Sequence, residues 1–124
     1  YAPIVTKFLG TVDRREIGGM VHCSGGGQTK VMHFLQHGRI VKNNMLTIPP
    51  LFKAIQKASG TRWEEMYKVF NMGHRLEAYL PVDLAEQLIT ISQSFDVEAQ
   101  IIGEVVDGDC GVDIQHGDQW LSYR

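Results

Sequence analysis

Consecutive glycines interrupt the chain between a strand pattern and a helical pattern, and they restrict its fold more than any other feature. Residues 19–23 (Gly-Met-Val-His-Cys) form a short apolar run that is typical of a buried strand. Residues 24–27 (Ser-Gly-Gly-Gly) follow, and residues 28–36 then place apolar side chains at helical spacing. A strand, a glycine turn and a helix in this order are typical of layered domains that combine sheets with helices.

Helical patterns recur along the rest of the chain. Residues 3–9 begin with a proline and predict a short helix that ends at Gly10. Pro49 and Pro50 open a second helix, which Gly60 closes. Its predicted core stripe consists of Leu51, Ala54, Ile55 and Ala58.

Two further helices carry the residue pattern of a capping box. Residues 61–64 (Thr-Arg-Trp-Glu) start the first of them, and Asp83 with Glu86 starts the second. The predicted buried positions are Trp63, Met66, Tyr67 and Phe70 in the first helix, and Leu84, Leu88, Ile91 and Phe95 in the second.

Strand patterns alternate with these helices. Residues 39–42, 74–80 and 97–106 predict strands, and residues 107–124 predict a hairpin. We therefore expect an α/β (α+β) fold, a mixed β-sheet with helices packed on it, in a single domain over residues 1–124.

Composition excludes several functional classes. The 124 residues carry a net charge of −2, so bulk attraction to nucleic acid is not expected. No apolar run approaches the roughly 20 residues of a membrane helix. Two cysteines are too few for a disulfide scaffold and predict reduced thiols in the cytoplasm. The chain starts at Tyr1 instead of Met, which suggests a piece of a longer protein.

The glycine run can bind an anion. Gly25, Gly26 and Gly27 let the backbone approach a ligand, and their amides lie beside the free N–H groups of the following helix. His22 ends the preceding strand, where α/β folds place ligands. A plain glycine-rich turn and a hydrogen-bonded core histidine remain open alternatives.

Other polar residues give weaker patterns. Asn71 at a helix end is either a left-handed cap or an amide that faces a ligand. Cys23 lacks an identifiable base partner for nucleophilic chemistry. His33 and His37 are one helical turn apart but lack the other groups of a metal site.

Four motifs occur in a fixed order along the chain. They are residues 22–27 (His-Cys-Ser-Gly-Gly-Gly), 49–52 (Pro-Pro-Leu-Phe), 65–73 (Glu-Met-Tyr-Lys-Val-Phe-Asn-Met-Gly) and 102–105 (Ile-Gly-Glu-Val). Together they resemble the C-terminal half of the aminoimidazole ribonucleotide synthetase family, the phosphoribosylformylglycinamidine cyclo-ligases. The usual pattern of that family is His-Ile-Thr-Gly-Gly-Gly, Pro-Pro-x-Phe, Glu-Met-x-x-x-Phe-Asn-Met-Gly and Ile-Gly-Glu/x-Val. The resemblance covers about residues 1–106, and residues 107–124 have no counterpart in it.

The resemblance implies a ligase of purine biosynthesis in the cytoplasm. Such an enzyme uses ATP to activate the formyl oxygen of formylglycinamidine ribonucleotide as a phosphorylated imidate. The amidine nitrogen then closes the imidazole ring, with release of ADP and phosphate. The parent is a magnesium-dependent homodimer whose N-terminal half supplies most of the ATP site. That half is absent from this sequence, so we expect the fragment alone to bind no cofactor and to be inactive.

The resemblance also implies a set of phosphate- and substrate-binding residues, and it assigns no catalytic residue and no metal ligand to this chain. The implied binding residues are His22, Ser24, Gly25, Gly26, Gly27, Asn71 and Gly73. The family usually continues after the glycines with Glu-Asn-Ile-Pro-Arg, whereas residues 30–34 here read Lys-Val-Met-His-Phe. Lys30 is the candidate cation in that stretch.

Two alternatives stay open at this point. One is a sister enzyme of the same superfamily, such as formylglycinamidine synthetase, selenophosphate synthetase, thiamine monophosphate kinase or a hydrogenase maturation factor. The other is a non-catalytic domain that binds phosphate or a partner protein. The Phe-Asn-Met-Gly run of residues 70–73 favours the cyclo-ligase among the enzymes.

Overall fold

A computed structural model describes residues 2–23, 26–35 and 37–124 of the chain. The chain divides into two compact units, each built from two separate stretches of sequence. The first comprises Tyr1–His22 and Leu76–Ile101, and the second comprises Cys23–Arg75 and Ile102–Arg124. In the part of the chain described, no helix is long and apolar enough to cross a membrane.

The first unit packs two helices together and pairs two strands. Helix α1 spans Ala2–Thr11 and α4 spans Val82–Ser94, while strands β1 (Gly19–His22) and β3 (Leu76–Tyr79) pair antiparallel. A short 3-10 helix covers Arg14–Glu16. The core of this unit consists of Ile4 and Phe8 from α1 with Leu84 and Ile91 from α4.

The second unit contains a four-stranded mixed sheet with the strand order β4-β2-β5-β6. These strands are β2 (Arg39–Lys42), β4 (Gly103–Val106), β5 (Gly111–His116) and β6 (Gln119–Tyr123). Strands β2 and β5 run parallel, and the other two pairs are antiparallel. Helices α2 (Pro50–Ser59) and α3 (Trp63–Val69) and a 3-10 helix over Gly27–His33 complete the unit. The predicted α+β class with a mixed sheet is confirmed, and so is the C-terminal hairpin, formed by β5 and β6.

Gly103 shows why the sheet needs a glycine at its edge. A Cβ atom at this position would lie 1.9 Å from the carbonyl oxygen of Val41 on the neighbouring strand. The residue pairs with Lys42 in the register of β2 and β4. Any larger residue would therefore push the two strands apart.

Both predicted capping boxes are wrong. Helix α3 begins at Trp63 after Arg62, and the hydroxyl of Thr61 lies 2.7 Å from that of Ser59 instead of capping the helix. Helix α4 begins at Val82 after Pro81, so Asp83 lies inside the first turn. There the positive end of the helix dipole stabilises its carboxylate.

Two predicted core stripes are also wrong in part. Every residue of α2 is half-buried or exposed, and Leu51 is 64% exposed. Phe95 directly follows α4 and is 44% exposed. The predicted strand over residues 97–106 is regular only from Gly103, where pairing with β2 begins.

Candidate functional site

The predicted binding residues are distributed over both units. His22 is the last residue of β1 and belongs to the first unit, whereas Gly26, Gly27, Asn71 and Gly73 all belong to the second. The side chain of His22 is exposed. The predictions for Ser24 and Gly25 fall outside the described residues.

Gly26 and Gly27 both adopt left-handed backbone conformations at the start of the 3-10 helix. Their φ angles are +94° and +52°, a region that glycine occupies without steric cost. The carbonyl of Gly26 accepts hydrogen bonds from the N–H of Thr29 at 3.1 Å and from its hydroxyl at 3.0 Å. These bonds fix the start of the helix.

The first N–H groups of a helix have no acceptor inside it. Among the hydrogen bonds of the described residues, none uses the amide N–H of Gly27 or of Gln28. Gly27 and Gln28 are both buried, so these two adjacent donors lack both solvent and an acceptor among the described residues, and an anion satisfies such donors best.

Gly27 lies against the end of α3. A Cβ atom here would come within 2.6 Å of the carbonyl oxygen of Tyr67 and within 2.5 Å of that of Phe70. The glycine is thus required by close backbone packing, whether or not a ligand is present. This contact places the glycine segment, which we define as Gly26, Gly27 and Gln28, against the Phe-Asn-Met-Gly motif of residues 70–73.

A buried hydrogen-bond network connects the glycine segment to strand β2 and to the turn after α3. The ammonium of Lys42, which is 1% exposed, donates to the backbone carbonyl of Gln28 at 2.9 Å and to its side-chain oxygen at 2.8 Å. The side-chain amide of Gln28 donates in turn to the carbonyl of Asn71 at 2.6 Å. Strand β2, the 3-10 helix and the turn after α3 are therefore linked through one glutamine.

Sequence reasoning did not single out Lys42 or Gln28. A lysine in a four-residue strand is normally expected to be exposed. The only sequence signal is position, because Lys42 ends a strand and Gln28 follows the glycines directly.

Replacing Lys42 with Met is expected to lower the free energy of unfolding by about 1–3 kcal/mol. The methionine fills a similar volume but leaves two oxygens of Gln28 without this donor. Urea unfolding followed by far-UV circular dichroism measures the change. Lys68→Met, on the exposed side of α3, is the matched control. Equal stabilities of the two variants would contradict the role given to the network.

The turn after α3 has its own internal hydrogen bonds. The side-chain oxygen of Asn71 accepts the N–H of Gly73 at 2.9 Å. Met72 and Gly73, not Asn71, have positive φ angles, so the interpretation of Asn71 as a left-handed cap is wrong. A Cβ at Gly73 would lie 2.8 Å from the ring of Pro49, which explains why the Pro-Pro and Asn-Met-Gly motifs occur together.

Comparison with known proteins agrees with this arrangement of motifs. The family model described as AIR synthase related protein, C-terminal domain, matches residues 5–115. A phosphoribosylformylglycinamidine cyclo-ligase from Methanococcus vannielii is 33% identical over 103 residues, which are 83% of this chain and 30% of the relative. Enzymes of the same name from Alkaliphilus metalliredigens and Carboxydothermus hydrogenoformans are 32% and 31% identical, over 84% and 85% of this chain.

The chain spans about 30% of the length of the curated relatives it matches. The family match covers most of the chain, including all the described residues of the predicted binding site. The chain therefore belongs to the family of AIR synthase related proteins, as their C-terminal domain.

Proposed function

We propose that this domain forms the phosphate-binding wall of the substrate cleft in an ATP-dependent phosphoribosylformylglycinamidine cyclo-ligase. In the proposed reaction, ATP phosphorylates the formyl oxygen of formylglycinamidine ribonucleotide, and the amidine nitrogen then closes the ring. ADP and phosphate leave. The names of the relatives support the cyclo-ligase over the sister enzymes and the non-catalytic alternative.

One observation carries the proposed role of the domain. The amide N–H groups of Gly27 and Gln28 are adjacent, and no described residue accepts a hydrogen bond from them. Preorganised backbone donors stabilise negative charge without reorganisation when it develops during a reaction. A phosphate ester, or the phosphorylated imidate, fits donors of this kind.

The other predicted binding residues complete the proposed site in different ways. Gly26 sets the backbone direction through its positive φ, and Ser24 and Gly25 precede it in the sequence. The side-chain oxygen of Asn71 accepts the N–H of Gly73 in the turn, and its NH₂ group would donate to a ligand. The proposal keeps His22, the exposed last residue of β1, as a substrate contact.

The proposal assigns ATP and magnesium to an N-terminal half that lies outside this sequence. Among the described residues, no group of three His, Cys, Asp or Glu side chains could hold a metal ion. The proposal also includes the homodimer, the ribonucleotide substrate and a cytoplasmic location, as for a biosynthetic enzyme. The fragment alone is then expected to have no turnover.

Titration of the ¹⁵N-labelled chain with phosphate tests the binding role directly. We expect saturable downfield shifts of the Gly27 and Gln28 amide protons, with a Kd on the order of millimolar. Sodium chloride at matched ionic strength is the control, and the amide of exposed Gly60 should not respond. Shifts confined to exposed lysines such as Lys53 and Lys57 would show nonspecific screening and would overturn the assignment.

A further inference from the structure

A shallow cavity of about 410 Å³, largely open to solvent, lies at the carboxyl ends of the two parallel strands of the second unit. Asn43 and Asn44 leave β2 at this edge, and Gln115 and His116 end β5 beside them. The two strands are in register from Arg39 opposite Gly111 to Lys42 opposite Ile114. The carboxyl edge of parallel strands is where open α/β sheets bind ligands.

The walls of this cavity are polar but uncharged. Amides of Asn43 and Gln115, the imidazole of His116 and the phenol of Tyr67 supply the polar groups, and Leu46 and Ile48 supply an apolar wall. Among the described residues that line it, none is Lys, Arg, Asp or Glu. A charged ligand would lose part of its hydration against these walls and would gain no counter-charge from them, so the site favours a neutral ligand.

His116 is held in a defined orientation at this site. Its Nδ1 lies 3.0 Å from the Tyr67 hydroxyl, and the Trp63 ring packs on it with centroids 4.4 Å apart. Burial raises the pKa of Tyr67 and lowers the pKa of His116, so both groups are neutral at pH 7.5. The phenol is the stronger donor, so we assign the ring proton of His116 to Nε2. That N–H makes no hydrogen bond with a described residue.

The segment that supplies the apolar wall is fixed by its backbone. The N–H of Leu46 donates to Nε2 of His74 at 3.1 Å, and the N–H of Asn44 donates to the carbonyl of Ile102 at 3.0 Å. A wall anchored in this way needs little reordering when a ligand binds.

We propose that this cavity is a binding site for a neutral planar ligand that carries a carboxamide edge. The side-chain amides of Asn43 and Gln115 both donate and accept, as a carboxamide does, and neither forms a hydrogen bond with a described residue. His116 adds a fixed donor, and the apolar wall packs against the ring of the ligand. The proposal does not depend on the phosphate role of the glycine segment, because the lining residues are different.

Nicotinamide and nicotinate form a matched pair of probes, because the same ring carries a neutral carboxamide in the first and a charged carboxylate in the second. We expect nicotinamide to shift the backbone amides of Asn43, Gln115 and Gly117 in ¹⁵N spectra of the full chain at pH 7.5. The Kd should be on the order of millimolar for a ligand this small. Nicotinate should bind at least about fivefold more weakly.

Asn43→Leu and His116→Phe should each weaken nicotinamide binding by about fivefold, the value of one neutral hydrogen bond. Gln87→Leu on the exposed face of α4 is the matched control and should change nothing. Equal binding of the two probes, or no saturable shift with nicotinamide, would overturn the proposal. The comparison of probes on the unmodified chain decides the question even if a variant fails to fold.

Discussion

Replacing Gly27 with Ala is expected to lower the free energy of unfolding by about 3 kcal/mol. About 1 kcal/mol comes from placing a residue with a Cβ at a φ of +52°, and about 2 kcal/mol from overpacking. The overpacking arises because the new methyl group meets the carbonyl oxygens of Tyr67 and Phe70, which are backbone atoms and cannot turn away. Domains of this size are stable by only about 5–15 kcal/mol, so the loss is a large fraction.

Gly60→Ala separates the two causes. Gly60 belongs to the same unit and has a φ of +68°, but a Cβ there meets no atom within 4 Å. Its replacement should cost only the backbone strain, about 1 kcal/mol. Urea unfolding of both variants, followed by far-UV circular dichroism, gives the comparison. Equal losses of unfolding free energy in the two variants would mean that Gly27 does not pack closely against α3.

Gly26 is the better position for testing ligand binding. A Cβ at Gly26 would lie 3.4 Å from Lys30, a contact the fold tolerates far better than that at Gly27. A side chain at Gly26 would therefore mainly occupy the proposed phosphate position before the first turn of the 3-10 helix, and it would add backbone strain. Gly26 is therefore the position at which a substitution tests activity.

Several elements could be predicted from sequence because local chemistry determines them. Strand β2 over Arg39–Lys42 and the end of α2 at Gly60 were both predicted, since apolar pattern and glycine are local signals. The order of the glycine run, Pro-Pro and Phe-Asn-Met-Gly motifs also indicated the family. The structure explains this order through the contacts of Gly27 with α3 and of Gly73 with Pro49.

Other features depend on contacts that periodicity and capping patterns do not encode. The Thr61 hydroxyl has a nearer partner in Ser59 at the end of the preceding helix, so its capping pattern was misleading. The buried Lys42 becomes recognisable only when β2 and the 3-10 helix are known to meet. His116 lies near Asn43 only because the parallel pairing of β2 with β5 joins residues far apart in sequence.

The second large effect concerns activity. The chain alone should show no ATP-dependent ring closure, because the proposed ATP and magnesium site lies in the absent N-terminal half. Co-expression with the N-terminal half of its parent should restore conversion of formylglycinamidine ribonucleotide, with one ADP released for each ring closed. Loss of the stabilisation that one preorganised donor gives to a developing oxyanion typically reduces kcat by about 10²–10³-fold, and we expect a repelling carboxylate at the same place to cost as much.

Gly26→Asp places a carboxylate beside the proposed phosphate position, and Gly60→Asp introduces the same charge at a similarly left-handed exposed residue. Both variants should fold, and the Gly60 variant should keep the activity of the reconstituted enzyme.

The most direct measurement is the rate of ADP release by the reconstituted enzyme carrying Gly26→Asp, compared with the one carrying Gly60→Asp. We predict a loss of at least about 100-fold for Gly26→Asp alone. Equal rates for the two variants would contradict the assignment of the glycine segment to phosphate binding.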